Sequence, residues 1–239
     1  MPDAKRALVR CVDVGRTYGS GQGAVVAVYD VTCGVRPGDR IAIVGPSGSG
    51  KSTLLHLLAG LEVPTVGSVA WPGFGDQPRG PENIGLVFQM PSLIPSMTVV
   101  ENVELPLLFA DVEPREARSR AEEALAVLEL SDLGDDLPQE LSGGQAQRAV
   151  IARVLAARPR LILADEPTSQ LDRANAAHVA DVLVEVADEL GAALVIATHD
   201  ALVSSRLTDE WPIQDGRLSH LGAAGLPLSR ANQPGGTRP

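Results

Sequence analysis

Arg40-Ile41-Ala42-Ile43-Val44-Gly45-Pro46-Ser47-Gly48-Ser49-Gly50-Lys51-Ser52-Thr53-Leu54-Leu55 passes from a short apolar run through a glycine-rich turn into a leucine-rich stretch. Residues 40–44 read as a buried strand. From Lys51 to Leu61 the leucines at 54, 55, 57, 58 and 61 surround most of a helix, which predicts burial on nearly every side. Between the two elements, Gly45 to Thr53 fits G-x-x-x-x-G-K-[ST]. Glycines let backbone N–H groups converge on phosphates, and a helix starting near Lys51 aims its positive end at them. Lys51 adds a mobile point charge, and the Ser52 hydroxyl is suited to Mg²⁺. Gly45, Pro46, Ser47, Gly48, Ser49, Gly50, Lys51, Ser52 and Thr53 are therefore the expected ATP-binding residues. The competing reading is a glycine-rich turn with a solvated lysine. Against it, only two of the 20 basic residues are lysines, Lys5 and Lys51. A chain that otherwise uses arginine keeps lysine where a forked guanidinium would not fit a narrow slot.

Further along the chain, Leu161-Ile162-Leu163-Ala164-Asp165-Glu166 is an apolar strand ending in two carboxylates. In an open parallel sheet, ligands collect beyond the carboxyl ends of the strands. Asp165 is then expected to hold the Mg²⁺ hydration shell and Glu166 to polarise an attacking water. By itself this feature is weak, because strand-end acids are often only solvated.

Composition agrees with a parallel α/β core. The 239 residues suit one large domain or a domain with a smaller lobe. Hydrophobic residues reach 44% while aromatics are only 3%, so Val, Leu, Ile and Ala must build the core. The net charge of -10 disfavours a nucleic-acid partner, whose phosphates it repels, yet leaves a locally built nucleotide site possible. Cys11 and Cys33 lack metal-site spacing and read as small apolar strand residues in a reducing compartment. Residues 1–10 lack a signal-peptide core, and no apolar run is long enough to cross a bilayer. Any role at a membrane is expected to run through a partner.

Further strands are expected at 7–14, 25–35, 67–71, 83–88 and 192–197, with a loop at 17–23. Helices are expected at 114–130, about 144–157, and from Asp172 to Leu190. Asp215-Gly216 marks a hairpin turn. Residues 90–157 read as a helical lobe inserted into one domain spanning 1–222, and 223–239 as a loose Pro/Gly/Ser-rich tail. Met90 and Met97 flank a segment with two prolines, which bars a regular helix and leaves apolar side chains on a loop. That segment is expected either to pack on its own lobe or to receive a partner's helix.

Between the two nucleotide motifs lies Leu141-Ser142-Gly143-Gly144-Gln145. Ser142 alone could be an ordinary helix N-cap. Taken with its order along the chain, the pentapeptide resembles the LSGGQ signature of ABC ATPases, and the resemblance spans about 6–221. It implies a P-loop NTPase core with a mainly parallel sheet, an antiparallel β lobe and an inserted α-helical lobe. It further implies that Tyr18 stacks on adenine, that Gln89 senses the metal and water, and that Asp172 belongs to the D-loop. His199 corresponds to the switch histidine, giving a catalytic set of Glu166, His199 and Lys51, with Mg²⁺ near Ser52, Gln89 and Asp165. A second copy of the chain would close the far side of the γ-phosphate with its Ser142 and Gly144, making an ATP-dependent head-to-tail dimer. An integral membrane permease would be the other partner, on the cytoplasmic face of the cell membrane. Residues 45–61, 84–89 and 98–107 look most like the lipoprotein-release and macrolide-export branch; an ABC importer subunit and a non-transport ABC ATPase are the alternatives. Two departures stand out: Gln170 replaces a small D-loop residue, and the span from Lys51 to Gln89 is short for that branch, which predicts a trimmed strand lobe around 73–81.

Overall fold

A computed structural model describes residues 7–75, 78, 80–169 and 171–219. The tail expected at 223–239 and Gln170 lie outside the described residues.

A six-stranded sheet has the order β5-β6-β7-β3-β8-β9, formed by β3 (Arg40–Val44), β5 (Ile84–Val87), β6 (Leu161–Asp165), β7 (Ala193–Thr198), β8 (Asp209–Gln214) and β9 (Arg217–Leu218). All pairings are parallel except β8 with β9. β6 and β7 are buried at every residue, as their unbroken apolar runs require when helices cover both faces. The last pairing is the expected hairpin. Asp215 and Gly216 have φ of 49° and 76°, the left-handed pair that a two-residue turn of this twist demands.

Beside it lies a three-stranded antiparallel sheet, β2-β1-β4, from β1 (Val9–Tyr18), β2 (Val25–Val35) and β4 (Val66–Ala70). β1 runs on to Tyr18, into the expected loop, because Thr17 and Tyr18 pair with Val26 and Val25. Strand periodicity missed this end because the register shifts between Cys11 and Val14 and twice more before Thr17.

Helix α1 (Lys51–Ala59) sits between the sheets with Leu54, Leu55, Leu57 and Leu58 fully buried. It ends two residues before the expected Leu61. Gly60 takes a left-handed conformation and its N–H bonds the carbonyls of His56 and Leu57, so Leu61 falls outside the helix and is 59% exposed.

The helical lobe comprises α2 (Val99–Phe109), α3 (Pro114–Val127) and α4 (Gly143–Ala156), with two short 3₁₀ turns between α3 and α4. Thr98 and Glu101 form a reciprocal capping box at the start of α2, and Glu113 caps α3. The segment 90–98 carries no helix, as its prolines predict. Two further helices, α5 (Arg173–Leu190) and α6 (Ala201–Ser204), follow β6 and β7. The buried face of α5 holds Val179, Val182, Leu183 and Val186.

Strand direction and register decide where the connecting segments leave the sheet. β3, β5, β6 and β7 run parallel, with Val44 level with Thr198, Asp165 with Ala197, and Val87 with Ala164. The segments leaving these four strands therefore emerge at one edge of the sheet.

Candidate nucleotide site

That edge holds a cleft of about 430 Å³ whose lining includes Pro46, Ser47, Gly48, Gly50, Lys51, Ser52, Thr53, Gln89, Glu166 and His199. Each strand contributes in turn: β3 the phosphate loop, β5 Gln89, β6 Glu166, and β7 His199, while Asp165, the last residue of β6, is buried beside the cleft.

The loop's composition has a tertiary cause as well as a local one. A Cβ on Gly45 would lie 2.2 Å from the Ile213 carbonyl oxygen, and one on Gly50 2.2 Å from that of Ala27. Gly50 also has φ of 105°, which L side chains rarely adopt. The loop is thus wedged between β8 and β2, while Gly48 faces open space. Gly50 heads α1 without a side-chain cap, and it lines the cleft with Lys51, Ser52 and Thr53, so the uncapped N-terminus of the helix borders the cleft.

Lys51 is buried, its Nζ 2.9 Å from the carbonyl oxygen of Gly45, 3.1 Å from that of Pro46 and 3.6 Å from Glu166 Oε1. The same Oε1 lies 2.9 Å from Nδ1 of His199. Glu166 is 9% exposed whereas the His199 side chain is 67% exposed. Glu166 also has φ of 46°, a strained region for a glutamate, and is held there by its N–H to the Ala197 carbonyl at 2.9 Å. The strand end therefore turns so that the carboxylate faces both the lysine and the histidine.

Asp165 is different. Burial pushes its carboxyl above the ordinary range, opposed by a hydrogen bond with Ser52 and by the charge of His56. Its Oδ1 is buried and has no hydrogen-bond partner among the described residues. An unsatisfied carboxylate oxygen beside a serine hydroxyl suits a hard cation. No group of three or more His, Cys, Asp or Glu could hold a metal among the described residues. The donor set therefore fits an ion that keeps water and phosphate oxygens for most of its ligands, as Mg²⁺ does.

The remaining expected site residues lie elsewhere. Ser49 is buried behind the loop, and its carbonyl accepts the Gly216 N–H at 3.0 Å. Tyr18 does not line the cleft; the Arg16 guanidinium lies over its ring at 4.6 Å. Leu141, Ser142, Gly143, Gly144 and Gln145 are also absent from the lining. Ser142 caps α4, with its Oγ accepting the Gln145 N–H at 3.3 Å while Gln145 Oε1 accepts the Ser142 N–H at 2.8 Å. Gly143 has open space where a Cβ would stand. Asp172 caps α5 through the N–H groups of Ala174 and Asn175, and hydrogen bonds from Asn175 and Ala174 hold its carboxyl below the usual range. Sequence reasoning missed Ala27, which lines the cleft from β2 and has no motif to announce it.

Among the described residues no helix is long and apolar enough to cross a membrane. A family model described as ABC transporter matches residues 28–169. The chain is also similar to solved structures. The ATP-binding cassette MJ0796, in a dimeric post-hydrolysis state bound to ADP and Pi, is 36% identical over 89% of this chain and 97% of that one, with a TM-score of 0.82. cbiO1 from Clostridium perfringens, part of the ABC transporter complex cbiONQ, is 29% identical over 91% of this chain and 88% of that one, with a TM-score of 0.78. A motif-bearing cleft, the matching family model and similarity to solved cassettes over about nine-tenths of the chain agree: the chain belongs to the ABC transporter family, as one of its ATP-hydrolysing cassettes.

Proposed function

We propose that this chain is the energy-coupling subunit of a membrane transporter, binding Mg-ATP in the cleft, pairing with a second copy, and driving a separate permease. The observation that carries this reading is an asymmetry. Lys51, Glu166 and His199 meet within hydrogen-bond or ion-pair reach at one sheet edge, while the signature residues 141–145 lie outside the cleft they would complete. A surface that caps a helix and leaves Gly143 facing open space, yet lies outside its own chain's cleft, suits a partner's ATP. In that arrangement the Ser142 hydroxyl, whose N–H is already taken by Gln145, and the Gly144 N–H donate to the γ-phosphate held by the other chain.

In hydrolysis, a water oxygen bonds the γ-phosphorus as the bond to the β,γ-bridging oxygen breaks. Glu166 takes the water's proton, and Lys51 with the α1 N-terminus stabilises the charge on the phosphates. His199, hydrogen-bonded to Glu166, orients that carboxylate and reaches toward the γ-phosphate from its exposed side. Ser52 and Asp165 would hold Mg²⁺, with Gln89 at the rim; the ion supplies charge neutralisation when bound. Tyr18 would stack on the adenine from the end of β1, with Asp172 in the D-loop at the seam between copies.

The permease is proposed to be of the lipoprotein-release or macrolide-export type, supported by the resemblance over 45–61, 84–89 and 98–107. Its docking point would be the segment after Gln89, where Met90 is 64% and Ile94 38% exposed. Leu93 is instead packed partly against the lobe's core, so this loop divides between internal packing and an outward face.

The test is ATP-dependent association of Glu166→Gln, followed by light scattering. The variant should bind ATP, lose at least ~10²-fold in hydrolysis, and accumulate as an ATP-bound dimer. A variant that stays monomeric at saturating ATP would refute the two-copy reading, and one that hydrolyses at the wild-type rate would remove Glu166 as the base.

A further inference from the structure

Gln89 reaches the cleft from an irregular segment, and irregular segments do not hold a side chain in place by themselves. The chain on either side of it packs against α4, the helix that begins at the signature serine. Three contacts of α4 bear on the path to Gln89. At the strand, Val154 lies so close to Gly85 that a Cβ there would meet its Cγ1 at 2.3 Å. At the strand's end, Gln147 Nε2 donates to the Phe88 carbonyl at 3.2 Å, one residue before Gln89. Beyond it, Arg153 donates from both terminal nitrogens to Ser92, 2.8 Å to its carbonyl and 2.7 Å to its Oγ.

Gln147 is the unusual member. It is fully buried, and its Oε1 has no hydrogen-bond partner among the described residues. A buried amide that leaves one side unsatisfied lowers stability compared with a satisfied or apolar side chain. A leucine would fill a similar volume without that cost. Packing therefore does not explain a glutamine here, whereas its single bond to Phe88 does. The fork of Arg153 supplies the matching constraint on the other side of Gln89. Asn102, also fully buried, fixes the rest of the segment from α2, bonding Ile94 and the carbonyls of Met97 and Thr98.

We propose that Gln147 and Arg153 are positioning residues that hold Gln89 in the cleft by bracketing it at Phe88 and Ser92. Both sit on the helix whose N-cap is Ser142, so a displacement of the signature is carried to Gln89 without passing through the sheet. Gln147 is five residues from Ser142, about 7.5 Å along the helix axis. This inference rests on the reading that Gln89 takes part in hydrolysis, and the test keeps the two apart.

The experiment measures steady-state kcat and KM for ATP, together with the thermal midpoint, in Gln89→Ala, Gln147→Leu, Arg153→Lys and the double variant Gln89→Ala/Gln147→Leu. Ser92→Ala, which removes only the acceptor hydroxyl of the Arg153 fork, is a further arm that leaves the core untouched and should lower kcat in the same direction by a smaller factor. Gln147→Leu and Arg153→Lys should each lower kcat about 10-fold, less than the ~10²-fold cost of a full 1 Å misplacement, with KM unchanged. The thermal midpoint of Gln147→Leu should hold or rise, which a merely structural glutamine would not allow. The double variant should be no slower than Gln89→Ala, because the positioning residue acts through Gln89. Wild-type kcat in both Gln147→Leu and Arg153→Lys, a kcat loss matched by a falling midpoint, or additive losses in the double variant would overturn the proposal. Wild-type kcat in Gln89→Ala would instead remove the reading on which it rests, and the proposal with it.

Discussion

The sheet edge and the signature turn are built to opposite plans. At the edge, four strands deliver their groups into one cleft, and those groups are already engaged: Glu166 with His199 and Lys51, and Lys51 with two loop carbonyls. The cost is visible in the φ of 46° at Glu166 and in glycines wedged against neighbouring carbonyls. The signature turn has no residue with positive φ, and its closest approach is milder, Leu171 Cδ2 at 3.2 Å from where a Cβ on Gly144 would stand. Ser142 and Gln145 satisfy each other as in any well-capped helix, and Gly143 looks onto open space. The contrast agrees with the proposed division of roles, in which the edge acts on ATP held by its own chain and the signature turn on ATP brought by a second copy.

Lys51 is where the edge is most vulnerable. Lys51→Ala should lower ATP hydrolysis by at least ~10²–10³-fold, the scale of a lost charge-stabilising donor in a protected site. Phosphate release under saturating ATP measures it, and a milder loss would mean the α1 N-terminus does most of the work.

Ser142→Arg should inactivate through the other half-site. Mixed in equal amounts with Lys51→Ala, it should regain up to about a quarter of wild-type turnover, since half the dimers are mixed and each keeps one of two composite sites. No recovery on mixing, with both proteins shown to associate, would place the signature's role within its own chain.

Gly50→Ala tests the edge's crowding separately from its chemistry. With φ of 105° and the Ala27 carbonyl 2.2 Å from the added carbon, a loss of about 1–3 kcal/mol is expected in denaturant unfolding. Gly143→Ala, facing open space and already inside a helix, should be neutral or slightly stabilising.

Asp165 separates the two regions by pH. Its folded pKa is raised by burial, so the proton is held more tightly in the folded chain than in the unfolded one. The stability this gives is present below the unfolded value and is lost as pH rises through the folded one. Asp165→Asn should therefore raise the thermal midpoint at neutral pH, with the gain shrinking as pH falls toward the ordinary aspartate value of 3.8, while abolishing Mg-dependent turnover. A midpoint difference that stays constant across that range would contradict the burial argument.

The smallest effect on basal activity is expected at the outward face of the segment after Gln89. Met90→Asp with Ile94→Asp should leave folding and basal ATPase near wild type while weakening co-purification with the proposed permease. Leu93 is the wrong residue for this test, since it packs partly against the lobe.

Much of the site is readable in the chain. Gly45 to Thr53 carries its own geometry, because a loop that must offer backbone N–H groups to phosphates can be made from few residue types at few spacings. Residues 161–166 are similar: an apolar run closed by two acids allows little besides a buried strand with a polar end. Helix and hairpin limits are legible where a local device sets them, as at Asp215-Gly216 and the N-cap Asp172, and shift where tertiary pairing intervenes, as at Tyr18.

Local interactions within a few residues leave a trace in sequence order, so the phosphate loop, the acidic strand end and the signature can be recognised from the order of residues alone. Which strands lie side by side leaves no such trace. Only the order β5-β6-β7-β3 brings Gln89, Glu166, His199 and Lys51 to one edge, across separations of up to 148 residues. The same holds for Ala27 and Ile213, whose carbonyls require glycine at 50 and 45, and for Gln147 and Arg153, whose partners at Phe88 and Ser92 lie 59 and 61 residues away. A contact between distant residues depends on how whole elements pack, and packing is decided by the summed burial of many side chains rather than by the two that meet.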